Sequence, residues 1–195
     1  MNANIDISNV VLKTERLILR PFRLSDLDDF YEYAKVDGVG QMAGWLPHKN
    51  KDESLEILNR FVSKKRTFAI CFNNKVIGSL GIEEYRLEDK LTEFYDYRGR
   101  ELGFVLSKEY WGRGIMPEAG NAVIDYLFNE LDLDFLLCNH FVFNNRSRRV
   151  QEKLGFKPYR KLMCKTSYGT EEEGILNLLI NPKKDIKFNF SHPES

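Results

Sequence analysis

The chain has 195 residues, and its 29 basic and 29 acidic side chains cancel to a formal net charge of zero. That length favours one domain, and the balance gives no general attraction to nucleic acid or to an anionic membrane. No apolar run approaches the roughly 18 residues of a membrane span, and residues 1–9 lack the basic start and apolar core of a signal peptide, so a cytoplasmic protein is expected.

In chain order, Arg16-Leu17-Ile18-Leu19-Arg20 alternates as a strand does and ends at Pro21. Ser25 is placed to cap a helix carrying Leu27, Phe30, Tyr31 and Ala34 at helical spacing. Residues 38–50 hold Gly38, Gly40, Gly44 and Pro47 and read as a loop. Residues 52–65 present Leu55, Leu58, Phe61 and Val62 on one helical face. Residues 67–72 and 75–82 are predicted strands, and Asn73-Asn74 between them tolerates the positive φ of a tight hairpin. Residues 83–100 show no clean period and read as a long excursion. A strand at 101–106, a helix at 115–131, a buried strand at 134–143 and a short helix at 144–154 stopped by Gly155 follow. Strands at 159–167 and 174–180 complete a domain over 1–180, leaving 181–195 as a tail. Strands joined through helices pair in parallel and hairpins pair antiparallel, so the expected fold is α/β with a mixed, mostly antiparallel sheet of about seven strands and helices on both faces.

Cys71, Cys138 and Cys164 are widely spaced and odd in number, which reads as buried free thiols in a reducing compartment. Neither they nor His48, His140 and His192 have ligand spacing, so no metal is expected.

The most informative stretch is Lys108-Glu109-Tyr110-Trp111-Gly112-Arg113-Gly114-Ile115-Met116-Pro117-Glu118-Ala119. Two glycines between a strand and a helix start present backbone N–H groups outward, where the helix dipole adds positive potential, and this suits a pyrophosphate. The spacing fits neither the dinucleotide fingerprint nor the P-loop, which argues against a nucleotide-binding protein.

With this loop in place, the chain resembles the GNAT superfamily of acyl-CoA-dependent N-acetyltransferases, in the branch of ribosomal-protein N-terminal (alanine/serine) acetyltransferases. Four pieces carry the resemblance in order: residues 14–21, residues 44–48 (Gly-Trp-Leu-Pro-His), residues 111–119, and residues 144–156 from Asn144 to Phe156. The resemblance implies acetyl-CoA as cosubstrate, held by the backbones of Gly112, Arg113, Gly114, Ile115 and Met116, with Trp111 opening the loop and Arg113 adding charge at its rim. It implies that the pantetheine arm lies beside the backbones of Phe104, Val105 and Leu106. Asn144 and Ser147 are implied contacts to that arm, and both are also good local caps. The chain departs from the superfamily at Met116, usually Gly or Ala, whose bulk would narrow the approach to the phosphates. It departs again at Gln151, where many relatives carry a tyrosine acid.

Acetyl transfer requires that an alkylammonium with pKa near about 10 lose a proton and that oxyanion and thiolate be stabilised. Glu101, at the start of the strand leading to the thioester, is the candidate base or water relay, and Ser147 the candidate donor to sulfur. A carboxylate near pKa about 4.3 is a poor base unless burial or a water chain helps it, and an edge carboxylate paired with Arg98 or Arg100 is the plain alternative. His140 is a second candidate base, against a packed strand histidine. Trp45, Pro47 and His48 are expected to form one acceptor wall. The acids Glu83, Glu84, Glu88, Asp89, Glu93 and Asp96 are expected to attract a cationic amine, unless that segment is a solvated loop anchored by its aromatics. The reading is an acetyl-CoA-dependent N-acetyltransferase acting on a primary amine (a protein N-terminus or a small molecule), with a homodimer left open. A catalytically inactive acyl-CoA-binding or sensing module of the same fold is the alternative.

Overall fold

The computed structural model describes residues 1–85 and 91–186. Eight strands form one sheet in the order β1-β2-β3-β4-β5-β6-β8-β7. They are β1 (Leu12–Lys13), β2 (Leu17–Pro21), β3 (Thr67–Phe72), β4 (Lys75–Glu83), β5 (Gly99–Leu106), β6 (Phe135–Phe141), β7 (Lys157–Lys165) and β8 (Glu171–Ile180). Four α-helices join them: α1 (Leu27–Ala34), α2 (Lys51–Lys64), α3 (Ile115–Asn129) and α4 (Asn145–Lys153). Every pairing is antiparallel except β5 with β6. The sheet has one strand more than expected, because the two-residue β1 is too short to leave a period in the sequence.

Alternation along the strands sends successive side chains to opposite faces. Leu17, Leu19, Phe68, Ile70, Ile77, Leu80, Leu102, Leu136 and Cys138 join a core closed by α3 and by Leu154 and Phe156. On the other face Ala69, Cys71 and Val76 pack against Phe30, Tyr33 and Ala34 of α1 and Leu58 of α2. At the far end of that face Phe135, Leu137, Leu176 and Leu178 are covered by Tyr85, Leu91 and Phe94. These described residues of the excursion are therefore a structural cover where α1 and α2 do not reach. Glu93 accepts from Tyr159 and, at 2.9 Å, from Arg160. Glu88 and Asp89 lie outside the described residues, as do residues 187–195 of the expected tail. Asn181 is fully buried and donates to the Leu133 carbonyl at 2.8 Å, so packed structure continues past residue 180.

Local signals mostly act as read. Asn73 and Asn74 take φ of 49° and 63°, and Gly155 ends α4 at φ 88°. All three cysteines are buried free thiols. The start of α1 differs: Asp26, not Ser25, secures it, accepting from the Arg23 N–H at 2.8 Å and bidentately from Arg20, both at 2.8 Å. Residues 1–9 are built into the fold, since Ala3, Ile5 and Ile7 enter the main core.

The expected opening strand has a second task. Glu118, in the first turn of α3, accepts from Thr14 Oγ1 at 2.5 Å, from the Arg16 N–H at 2.9 Å and from Arg16 Nε at 2.6 Å. Arg16 Nη1 also donates to the Arg113 carbonyl at 3.0 Å. The 14–16 turn thus clamps the glycine loop and the start of α3 together. Partial burial pushes the Glu118 carboxyl up, but the hydrogen bonds from Thr14 and Arg16 outweigh it and hold the group below its ordinary range.

A group with a depressed folded pKa contributes stability that is complete above its unfolded value and vanishes as pH falls through the folded one. Glu118→Gln is expected to lower the urea-unfolding free energy by about 2 kcal/mol at neutral pH. The gap to the wild type should close as pH falls through and below the ordinary carboxylate range; a gap that persists at the acid end would contradict this account.

Candidate active site

The β5–β6 ladder runs from Gly99↔Phe135 to Glu101↔Leu137 and stops, although β5 continues to Leu106 and β6 to Phe141. The strands part there, and two cavities fill the opening. The larger, about 420 Å³, reaches from Met42 and Phe104 to Trp111, Gly112 and α4. The smaller, about 150 Å³, is lined by Glu101, Asn139, His140 and Phe141. Met42, Ala43, Phe104 and Ser147 line both, so the two adjoin.

Their charges differ. Among the described residues the larger cavity is lined by Arg146, Arg149 and Lys153 and by no acid, and the smaller by Glu101 and no Lys or Arg. The three cations stand at i, i+3 and i+7 of α4, one face of a helix, a spacing visible in the sequence but not read there.

On the β4 side the Ser107 N–H donates to the Ile77 carbonyl at 2.8 Å, which makes Gly78↔Leu106 a non-hydrogen-bonded pair. The main-chain groups of Leu106 and, by alternation, Phe104 therefore face the opening, while those of Val105 face Ser79 of β4. Val105 lines the cavity but has no main-chain edge to offer, contrary to expectation. The Leu106 carbonyl is already taken by Trp111 Nε1 at 2.8 Å. This bond and the Arg146 guanidinium 4.7 Å over the indole ring fix Trp111 in the wall.

The loop turns through Gly112 at φ 77° and Gly114 at φ 73°, conformations that favour glycine. Gly114 begins α3 and offers no side chain to cap it. Ile115 and Met116 stand in the first turn, where N–H groups have no intrahelical partner, and Pro117 has none to leave. Met116 is only 4% exposed and packs in the core, and it also lines the larger cavity. Arg113 does not line either cavity; its guanidinium lies 5.4 Å over the Tyr110 ring.

Asn144 caps α4, accepting from the Ser147 N–H at 3.1 Å, and its amide donates to the Met42 carbonyl at 3.0 Å. The cap thereby ties the 40–43 turn to the cavity wall. Ser147 Oγ accepts from Gln151 Nε2 at 3.1 Å. Glu101 accepts from Asn139 Nδ2 at 3.0 Å, across the point where the ladder ends. His140 is buried, and burial pushes its imidazole below the ordinary range; its Nδ1 lies 3.1 Å from Asn177 Nδ2. The packed-strand reading of this residue matches that environment.

Trp45, His48 and Glu84 line neither cavity. Trp45 packs with the α1–α2 core, and His48 Nδ1 lies 2.7 Å from Ser54 Oγ. Glu84 is bound to Arg66 at 2.7 Å and lies 3.5 Å from Arg100. Met42 and Ala43, just before the 44–48 motif, reach the site instead. They gave no signal in the sequence because a 3-10 turn, not a periodic element, carries them.

The Acetyltransferase (GNAT) domain profile matches residues 16–157, from the clamp through the glycine loop to the start of β7. The chain belongs to the GNAT acetyltransferase family. It is 44% identical over 159 residues to a Bacillus subtilis protein named "Probable N-acetyltransferase YjcK", covering 75% of this chain and 83% of that one. Its fold is similar to that of a ribosomal-protein-S5-alanine acetyltransferase from Vibrio fischeri, at 22% identity and TM-score 0.68, covering 90% of this chain and 98% of that one. It is also similar to the microcin C7 self-immunity acetyltransferase MccE, solved with acetyl-CoA and AMP, at 14% identity and TM-score 0.71, covering 86% and 93%. Among the described residues no group of three or more His, Cys, Asp or Glu is placed to hold a metal, and no helix is long and apolar enough to cross a membrane.

Nothing lies within 4 Å of a Cβ added at Gly112, so a side chain there would be strained only by φ while standing where the loop faces outward. Gly112→Ala is expected to cost about 1 kcal/mol of stability and to raise KM for acetyl-CoA. Unchanged KM in a steady-state titration would count against a close approach of ligand to this backbone.

Proposed function

We propose that the protein transfers the acetyl group of acetyl-CoA to a primary amine, a protein N-terminus or a small molecule, by direct attack. The observation that carries this reading is the division of charge between the adjoining cavities. A cavity with three cations and no acid favours a phosphate-bearing ligand, and one with a carboxylate and no Lys or Arg favours an amine. The acetyl-CoA complex of MccE and the acceptor named for the Vibrio fischeri protein support the two halves.

In this reading the pyrophosphate rests on the N–H groups of residues 112–116 at the start of α3. The amide-bearing arm lies against the main chain of Phe104 and Leu106, and the thioester reaches the junction at Ser147. The amine enters through the smaller cavity, its ammonium proton passing to solvent, and gives a second proton to Glu101, directly or through a water, as it attacks. The C–N bond forms, the C–S bond breaks, and the electron pair leaves on sulfur, facing the Ser147 hydroxyl. Main-chain donors of β5 that face the opening stabilise the oxyanion.

Thiol release from acetyl-CoA with a panel of amines tests the reading. Glu101→Gln is expected to lower kcat about 100-fold with little change in KM for acetyl-CoA. Arg149→Gln combined with Lys153→Gln should instead raise that KM about tenfold, an effect that shrinks as salt rises. Tight acetyl-CoA binding with no turnover on any amine would identify an acyl-CoA-binding module, and no binding by calorimetry would remove the cosubstrate altogether.

A further inference from the structure

Behind Ser147 lies a buried amide network whose hydrogen-bond directions can be assigned from its partners. Gln151 is 1% exposed and Asn177 4%. Gln151 Nε2 lies 3.0 Å from the Asn139 carbonyl and 3.1 Å from Ser147 Oγ, and its Oε1 lies 2.8 Å from Asn177 Nδ2. Asn177 Nδ2 also faces the Ile175 carbonyl at 3.1 Å and the Cys138 carbonyl at 3.4 Å.

Carbonyl oxygens only accept, so the end of the Asn177 amide that faces them and Gln151 Oε1 is its NH2, whose two hydrogens are shared among these acceptors and His140 Nδ1. Reversing the Gln151 amide would set its oxygen against the Asn139 carbonyl and its NH2 against the Asn177 NH2. The amide is therefore locked by main chain on two strands, β6 and β8. Its two hydrogens have two acceptors, the Asn139 carbonyl and Ser147 Oγ. Ser147 can only accept from Gln151, and its own proton has to go elsewhere. That hydroxyl stands where both cavities meet.

We propose that Gln151 is a positioning residue for acetyl transfer: it holds Ser147 as an obligate acceptor, so that the Ser147 hydroxyl donates to the sulfur that departs. The proposal rests on the transferase reading above. As C–N forms and C–S breaks, the electron pair moves to sulfur while the amine proton goes to Glu101. The thiolate keeps the Ser147 hydrogen bond until it takes a proton from solvent on release. A hydroxyl that accepts one hydrogen bond is a stronger donor of its own, so the amide at 151 acts on sulfur through serine without touching it.

The test compares wild type, Ser147→Ala, Gln151→Met, Gln151→Glu and the doubles Ser147→Ala with each Gln151 change, by thiol release with an amine the wild type acetylates. Gln151→Glu keeps the size but makes the side chain an acceptor, which turns the Ser147 proton inward. Each single change is expected to lower kcat tenfold or more with KM for acetyl-CoA within about twofold. That KM also shows that each variant folds. Each double should be no slower than Ser147→Ala alone. Losses that multiply in the doubles, or that fall on KM rather than kcat, would overturn the positioning role while leaving the transferase reading intact. Wild-type protein without turnover on any amine would instead remove the transferase reading and this role with it.

Discussion

The molecule depends on one interrupted ladder. Strands β5 and β6 share only the pairs Gly99↔Phe135 to Glu101↔Leu137, and after that each strand keeps its outer partner alone. A sheet that opens this way leaves main-chain groups of Phe104 and Leu106 pointing into the protein without a strand beside them. Buried N–H and C=O groups left unpaired are costly, so the opening needs polar company. Trp111 Nε1 covers the Leu106 carbonyl, and Asn139 reaches Glu101 where the ladder ends. The opening persists because both halves of the sheet are held on either side of it: the core under α3 takes residues from both, and Tyr85, Leu91 and Phe94 cover the β6–β8 end of the other face.

That second core explains the least patterned part of the chain. Tyr85 and Phe94 have no periodic neighbours in sequence, yet their rings meet Phe135 at centroid distances of 5.6 and 4.4 Å. A segment can be irregular and still bury large aromatic area when the strands beneath supply the complementary face. The charges around it are used locally: Arg66 takes Glu83 and Glu84, and Arg160 takes Glu93. Read from sequence, those acids suggest an attractive field for an amine. In space they are partners of nearby arginines, away from both cavities.

The difference between what sequence revealed and what it concealed follows from the range of the interactions. The Asn73-Asn74 hairpin, the Gly112 and Gly114 turns and the Gly155 stop are settled by the backbone freedom of single residues, so they can be read one residue at a time. Face assignment of β3 and β6 follows from alternation. The site's second wall does not. Met42 lines it because Asn144, 102 positions later, donates to its carbonyl, and no local pattern encodes a bond of that range. His48 was drawn toward the site by its motif, but Ser54 and the ring of Phe30, at a centroid distance of 5.5 Å, hold it between α1 and α2. Two-residue β1 and the apolar side chains of residues 3–7 escaped for a related reason: they are too short or too interspersed with polar residues to show a period, and only the finished core accepts them.

Residue 151 brings these points together. In sequence it is a departure, a glutamine where relatives often carry a tyrosine, and it reads as a missing acid. In space the same amide is saturated on all sides by Asn139, Ser147 and Asn177. A buried polar side chain with every partner in place rigidifies what surrounds it, whereas one with a partner missing destabilises. A hydroxyl can accept as well as donate, whereas an amide nitrogen can only donate. Gln151 therefore sets the one thing a hydrogen-bond partner at this position can impose on Ser147, which is the direction in which its proton points.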